Sequence, residues 1–244
     1  MTMLLSLGKL SVRELWISYQ LLLVVALLGL IGLLAPLGAV WIPHLLDPAA
    51  PVTATTQSLF WYGISLAGAA ALVGLVAARS FAADRLRGTA QWVMAAPISR
   101  GSFFGGWMFG MAISVAGGML LSALTAWFTI GSLGAAPDGT RFIGASVAAT
   151  MYIFATSTVG LSCGAALGKG RAGMVALLVT AALGAAAWFA GLLPWLPSSA
   201  AVHFQRLVVE LDGLGMALQL SGASIALMGA AAFVGTVLLE RAEL

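Results

Sequence analysis

Six long apolar stretches separated by short polar segments set the pattern of this chain. They cover about residues 21–41, 58–78, 103–130, 142–167, 172–193 and 216–239, and none has a charged residue at its centre. A hydrocarbon core of about 30 Å takes roughly 20 apolar residues in helical form, so each stretch is long enough to cross a bilayer. Strands of a membrane barrel would alternate polar and apolar residues. Here 21–34 and 172–187 are apolar on every face. The pattern predicts an all-α integral membrane protein with six transmembrane helices in a single transmembrane domain over residues 1–244.

Composition agrees. Hydrophobic residues make up 61% of the chain and charged residues 8%, too little polar surface to cover a water-soluble domain of this length. The net charge is +3, but the cations sit at the ends of apolar runs rather than along a polar face. They read as topology signals, not as a nucleic-acid surface. Lys9, Arg13, Arg79, Arg85, Arg87, Arg100, Lys169, Arg171 and Arg241 fall on one side of the six-span pattern, against Arg141 and Arg206 on the other. The positive-inside rule then puts both termini in the cytoplasm. Trp41, Trp61, Trp127 and Trp195 fall at the opposite boundary, as interfacial tryptophans do. A rival reading takes the first run as a secretory signal cleaved near 35–39; its long polar lead and 20-residue length argue against it.

Ahead of the first span, Leu4, Leu5, Leu7, Leu10, Val12, Leu15 and Trp16 alternate with Ser6, Lys9, Arg13 and Glu14. Residues 1–18 fit a helix lying in the headgroup plane with its cations toward anionic lipid, or equally a plain positive-inside anchor.

Intramembrane chemistry has little to work with. The carboxylates Glu14, Asp47, Asp84, Asp138, Glu210, Asp212, Glu240 and Glu243 all lie outside the span centres, whereas ion-driven transporters usually keep one inside. His203 lacks a second metal-type ligand at helical spacing and His44 has only Asp47 three residues on, too few for a metal site, and Ser65, Ser114 and Ser162 lack a neighbouring base. The single cysteine, Cys163, excludes an intrachain disulfide. We therefore expect no catalytic residue, no metal ligand and no cofactor on this chain. The segment C-G-A-A-L-G-K-G at 163–170 approaches a phosphate-binding loop, but Cys163 stands where glycine is needed and Gly170 where serine or threonine is needed. Energy for any active transport must come from another polypeptide. Small residues recur at Gly160, Gly164 and Gly168 on the fourth span, at Gly106 and Gly110 on the third, and at Gly222, Ala226 and Gly229 on the sixth. The fourth-span ridge is expected to pack within the protomer.

The loop at 79–101 carries four of the cations and reads A-R-S-F-A-A-D-R-L-R-G-T-A-Q-W-V-M-A-A-P-I-S-R-G with Arg79 in second place. Gly88 and Thr89 can open a short helix, Trp92, Val93 and Met94 give it an apolar face, and Pro97 stops it. Such a helix can sit in a groove of a soluble domain, with Arg85, Arg87 and Arg100 facing acidic residues. The simpler alternative is that the arginines only hold the loop inside.

Asp84, Gly88, Thr89, Pro97, Ile98, Ser99 and Arg100 together resemble the cytoplasmic loop between spans two and three of ABC-2 type exporter permeases. Ala90 and Gln91 stand where that family commonly has Leu-Glu, and Gly105-Gly106 where Gly-Lys often follows. Arg13-Glu14-Leu15 is similar to the family's N-terminal interfacial helix, and the outer segment at 194–215 and the ending Leu239-Glu240-Arg241 are also similar. The likeness leans toward permeases that accompany nitrous-oxide reductase maturation and gliding motility.

The resemblance implies a permease subunit of an ATP-driven exporter in a bacterial cytoplasmic membrane. It would pair with a second copy or a related permease and dock separate ABC ATPase chains, which hold the ATP and Mg²⁺. An outer-side accessory protein is a further implied partner. The ATPase interface would comprise Asp84, Arg85, Arg87, Gly88, Thr89, Gln91, Trp92, Pro97, Ser99 and Arg100, and spans two and five would border the pathway. A second reading makes the chain an anchor or force-transmitting scaffold through which nothing passes; an intramembrane enzyme is disfavoured by the missing acid, base and metal ligands.

Overall fold

Uninterrupted apolar sequence leaves the backbone no partner but itself, and the chain answers with long helices. The structure is a computed structural model that describes residues 20–46, 54–86 and 100–241. Six long helices cover Gln20–Leu46 (α1), Ala54–Leu86 (α2), Arg100–Leu133 (α3), Gly139–Ala166 (α4), Lys169–Ala190 (α5) and Gly213–Arg241 (α8). Between the last two lie the short helices Ser199–Val202 (α6) and Phe204–Val209 (α7). All six long helices are long and apolar enough to cross a membrane, and the described residues contain no strand. The expected interfacial helix (Lys9, Arg13, Glu14) and the short loop helix lie outside the described residues.

The helices overrun the apolar stretches. The second was expected to end near 78 and runs to Leu86; the third was expected from 103 and starts at Arg100. The extra turns carry charge and continue the helix past the hydrocarbon edge. The fifth shifts the other way: it ends at Ala190 instead of 193, because Gly191 takes φ 79° and its N–H bonds Ala187 O. With ψ −169° this is an extended positive-φ conformation open essentially to glycine alone, which adopts it without a Cβ penalty.

α4 is the central helix, with 61% of its span buried, against 28% for α5 and 22% for α8. It packs on α2 and α8, while α1 lies against α2 and α3, and α5 covers the side of α2. The α2–α4 crossing is a backbone contact. Thr156, Gly160 and Gly164 repeat every four residues on one side of α4. A methyl group on Gly160 would stand 2.2 Å from Gly74 O, and one on Gly164 2.7 Å from Ala78 O. Thr156 Oγ1 donates to Ala70 O at 3.0 Å in the same seam. The first two members of the glycine ridge thus pack within the protomer, as small-residue ridges do in lipid; Gly168 is exposed, and a methyl group there would meet no atom within 4 Å.

Gly160→Val is accordingly expected to destabilise by about 3 kcal/mol or more, since backbone oxygen cannot swing aside. Gly222→Val, on an exposed face of α8 with no atom within 4 Å of the added carbon, should unfold as the wild type does. Thermal unfolding of the purified protein in mild detergent checks both; equal midpoints for the two variants would contradict the close crossing.

Aromatic rings fasten each end of the bundle. Toward the end where α2 begins, Tyr62 meets Phe204 edge-on with ring centres 5.1 Å apart, and Phe142 lies between Phe204 (5.6 Å) and Trp127 (5.2 Å). Tyr62 also shares a hydrogen bond with Ser122 at 3.1 Å. The knot joins α2, α3, α4 and α7. At the opposite end Phe81 lies 5.7 Å from Phe103, 5.6 Å from Phe104 and 5.7 Å from Trp107, fixing α2 to α3.

The 194–215 segment is seated, not loose. Ser198 Oγ donates to Leu183 O at 2.7 Å, and the His203 ring bonds Ala187 O through Nε2 at 2.9 Å. Arg141 reaches Val209 O at 3.2 Å. Ala201 O and Phe204 come so close to Gly63 that a methyl group there would stand 2.5 Å from that oxygen.

Candidate functional site

Eight of the eleven cations belong to the described residues, and six of these eight, Arg79, Arg85, Arg100, Lys169, Arg171 and Arg241, gather at one end of the bundle. The 87–99 segment leaves and re-enters there, between the last turn of α2 and the first turn of α3. Of the residues expected to meet an ATPase, Asp84, Arg85 and Arg100 are described. Arg87, Gly88, Thr89, Gln91, Trp92, Pro97 and Ser99 lie outside the described residues.

The two described arginines turn inward. Arg85 donates through Nη1 to Ala165 O and through Nη2 to Leu167 O at 3.3 Å, at the C-terminal end of α4. Arg100 donates through Nη1 to Leu239 O at 2.9 Å and to Glu240 O at 2.5 Å, at the C-terminal end of α8. Physical necessity explains both. The last turn of a helix leaves carbonyls without an intrahelical donor, and its dipole makes that end negative, so a guanidinium is the fitting cap. Each arginine therefore clamps a helix far away in sequence. Asp84, half-buried beside Arg85, is also engaged.

Around these clamps the neighbours are close. Ser162 Oγ donates to Ala231 O at 2.7 Å, tying α4 to α8, and Gly235 allows Phe104 to approach so near that a methyl group would stand 2.6 Å from its ring. Arg79, exposed, runs its side chain across Gly173 of α5. The two flanks of the 87–99 segment are thus joined to α4, α5 and α8 as well as to each other through Phe81. Sequence reasoning found the arginines but not their acceptors. A backbone carbonyl has no sequence signature; only the position of Leu167 and Leu239 at helix ends, with cations elsewhere to reach them, could have hinted at it.

Among the described residues no group of three His, Cys, Asp or Glu side chains comes together as a metal site would need. Compared with protein-family models and with curated proteins, the chain matches none.

Proposed function

We propose that the chain is the membrane-spanning subunit of an ATP-driven exporter of the ABC-2 type, seated in a bacterial cytoplasmic membrane with both termini inside. The observation that carries the reading is the Asp84, Gly88-Thr89, Pro97-Ile98-Ser99-Arg100 frame placed between the second and third of six spans. The flanks of that frame support it physically. A push on the 87–99 segment passes directly to α2 and α3, through the Arg85 cap to α4 and through the Arg100 cap to α8. A loop held only by two covalent ends would move two helices; this one is joined to more.

In this reading separate ATPase chains bind the loop and hold ATP and Mg²⁺, and a second permease completes the pathway. The stripe of α2 formed by exposed Trp61, Gly68 and Leu72 and half-buried Ser65 borders that pathway together with α5. A groove of about 270 Å³ between α1 and α2, lined by Leu34, Gly38, Ala39, Trp61 and Ser65, continues it. The lining is apolar, so a translocated compound needs no buried charge for recognition.

The decisive experiment is purification from native membranes in mild detergent, followed by identification of the chains that co-elute. The expected result is an ABC ATPase whose hydrolysis is stimulated by a translocated compound. Stable recovery of the six-span protein with no ATPase attached would defeat the reading.

A further inference from the structure

Arg79 lies at the charged edge of its span. It is exposed on α2, and its Cγ, Cδ and Nε pass over the bare backbone of Gly173, at 2.9, 3.3 and 3.2 Å from where a Cβ would stand. Gly173 is one turn inside α5, a helix of 22 residues and so about 33 Å long, barely longer than the hydrocarbon core. An arginine at that edge, in the first charged turn past the apolar stretch, lies at headgroup depth, where an anion in reach is its natural partner. Arg85 and Arg100 find acceptors in helix-terminal carbonyls; Arg79 does not. Among the described residues no carboxylate pairs with Arg79, Lys169 or Arg171.

Lys169 lies one turn from Gly173 on the same side of α5, is exposed, and opens the helix whose positive end points the same way. Away from the charges the seam turns apolar. Leu75 and Leu72 follow Arg79 on its side of α2, and Met174 is 65% exposed beside Gly173. Cations at headgroup depth beside an exposed apolar helix surface complement a phosphate that carries acyl chains, not a free phosphate.

The geometry points to a bound anionic phospholipid of the leaflet at the basic end, its headgroup held between Arg79 and Lys169 and its acyl chains along the α2–α5 seam. This site is independent of the transport reading, since it needs neither an ATPase nor a second copy.

Native mass spectrometry of the detergent-purified chain, titrated with phosphatidylglycerol and phosphatidylcholine, tests it. Each cation near a membrane surface contributes about fivefold in affinity for anionic lipid, so Arg79→Gln with Lys169→Gln should reduce phosphatidylglycerol retention by roughly thirtyfold and leave phosphatidylcholine unchanged. Gly173→Val, which keeps every charge but lifts the Arg79 side chain off α5, should also weaken retention, and Arg79→Lys should preserve most of it. Arg241→Gln removes a cation from the same end away from the seam and should have no effect. Retention unchanged in the double variant, or lowered as much by Arg241→Gln, would overturn the site. Displacement of phosphatidylglycerol by glycerol phosphate alone would show that the seam reads a soluble anion, and would equally overturn it.

Discussion

Arg85→Glu and Arg100→Glu are each expected to lower the unfolding free energy by about 3 kcal/mol, before any partner is added. Each substitution removes a charged donor from helix-terminal carbonyls and sets a negative side chain against the negative end of the helix. The loss should show as a lower midpoint of thermal unfolding in detergent and as aggregation on size exclusion. Arg87→Glu is the instructive comparison. Its charge belongs to the segment proposed to meet the ATPase, so its expected effect is weaker attachment of that partner, with an unchanged midpoint. If all three variants unfold like the wild type and differ only in partner binding, the inward caps of Arg85 and Arg100 are not holding α4 and α8.

Gly88→Leu combined with Pro97→Ala is expected to leave the ATPase bound but to bring substrate-stimulated hydrolysis down to the basal rate. In the proposed reading these residues would set where a loop helix starts and stops, so that altering either boundary would change the register of the element that is pushed. Co-purification and ATP turnover measured on the same preparation separate the two failures. Wild-type turnover in this double variant would remove the loop as the transmitting element and put the scaffold reading ahead.

The spans were legible because about 20 consecutive apolar residues have one physical solution in lipid. Their ends were less so. The charged turns 79–86 look like loop by hydropathy, yet they stay helical because Arg85 finds acceptors on α4; that acceptor set exists only once α4 has packed. The Gly160–Gly164 ridge could be seen in the sequence, but its opposite surface, Gly74 and Ala78, lies in a helix with small residues at many positions, so the match needed coordinates. The same holds for Gly173, one glycine among 30, whose meaning comes from Arg79 lying across it. Arg85 was drawn to the loop interface by its charge and Arg100 by its charge and its place in the Pro-Ile-Ser-Arg frame, and neither gives a direction.

The aromatic knot around Tyr62 has a mechanical consequence. It fixes α2 near one end to three other helices, while the next 24 residues run as one continuous helix to Leu86, a distance of about 36 Å. A rod clamped at one end swings about the clamp, and here α3 and α4, tied to its far end through Phe81 and Arg85, must swing with it. Displacement imposed at Leu86 is then largest at the basic end, about half as large near Gly74, and close to zero at Tyr62. The two mouths of the bundle are therefore unequal: force delivered beside the 87–99 segment widens the basic side first, and the far side opens only if the rings of Tyr62, Phe142 and Phe204 slide past one another.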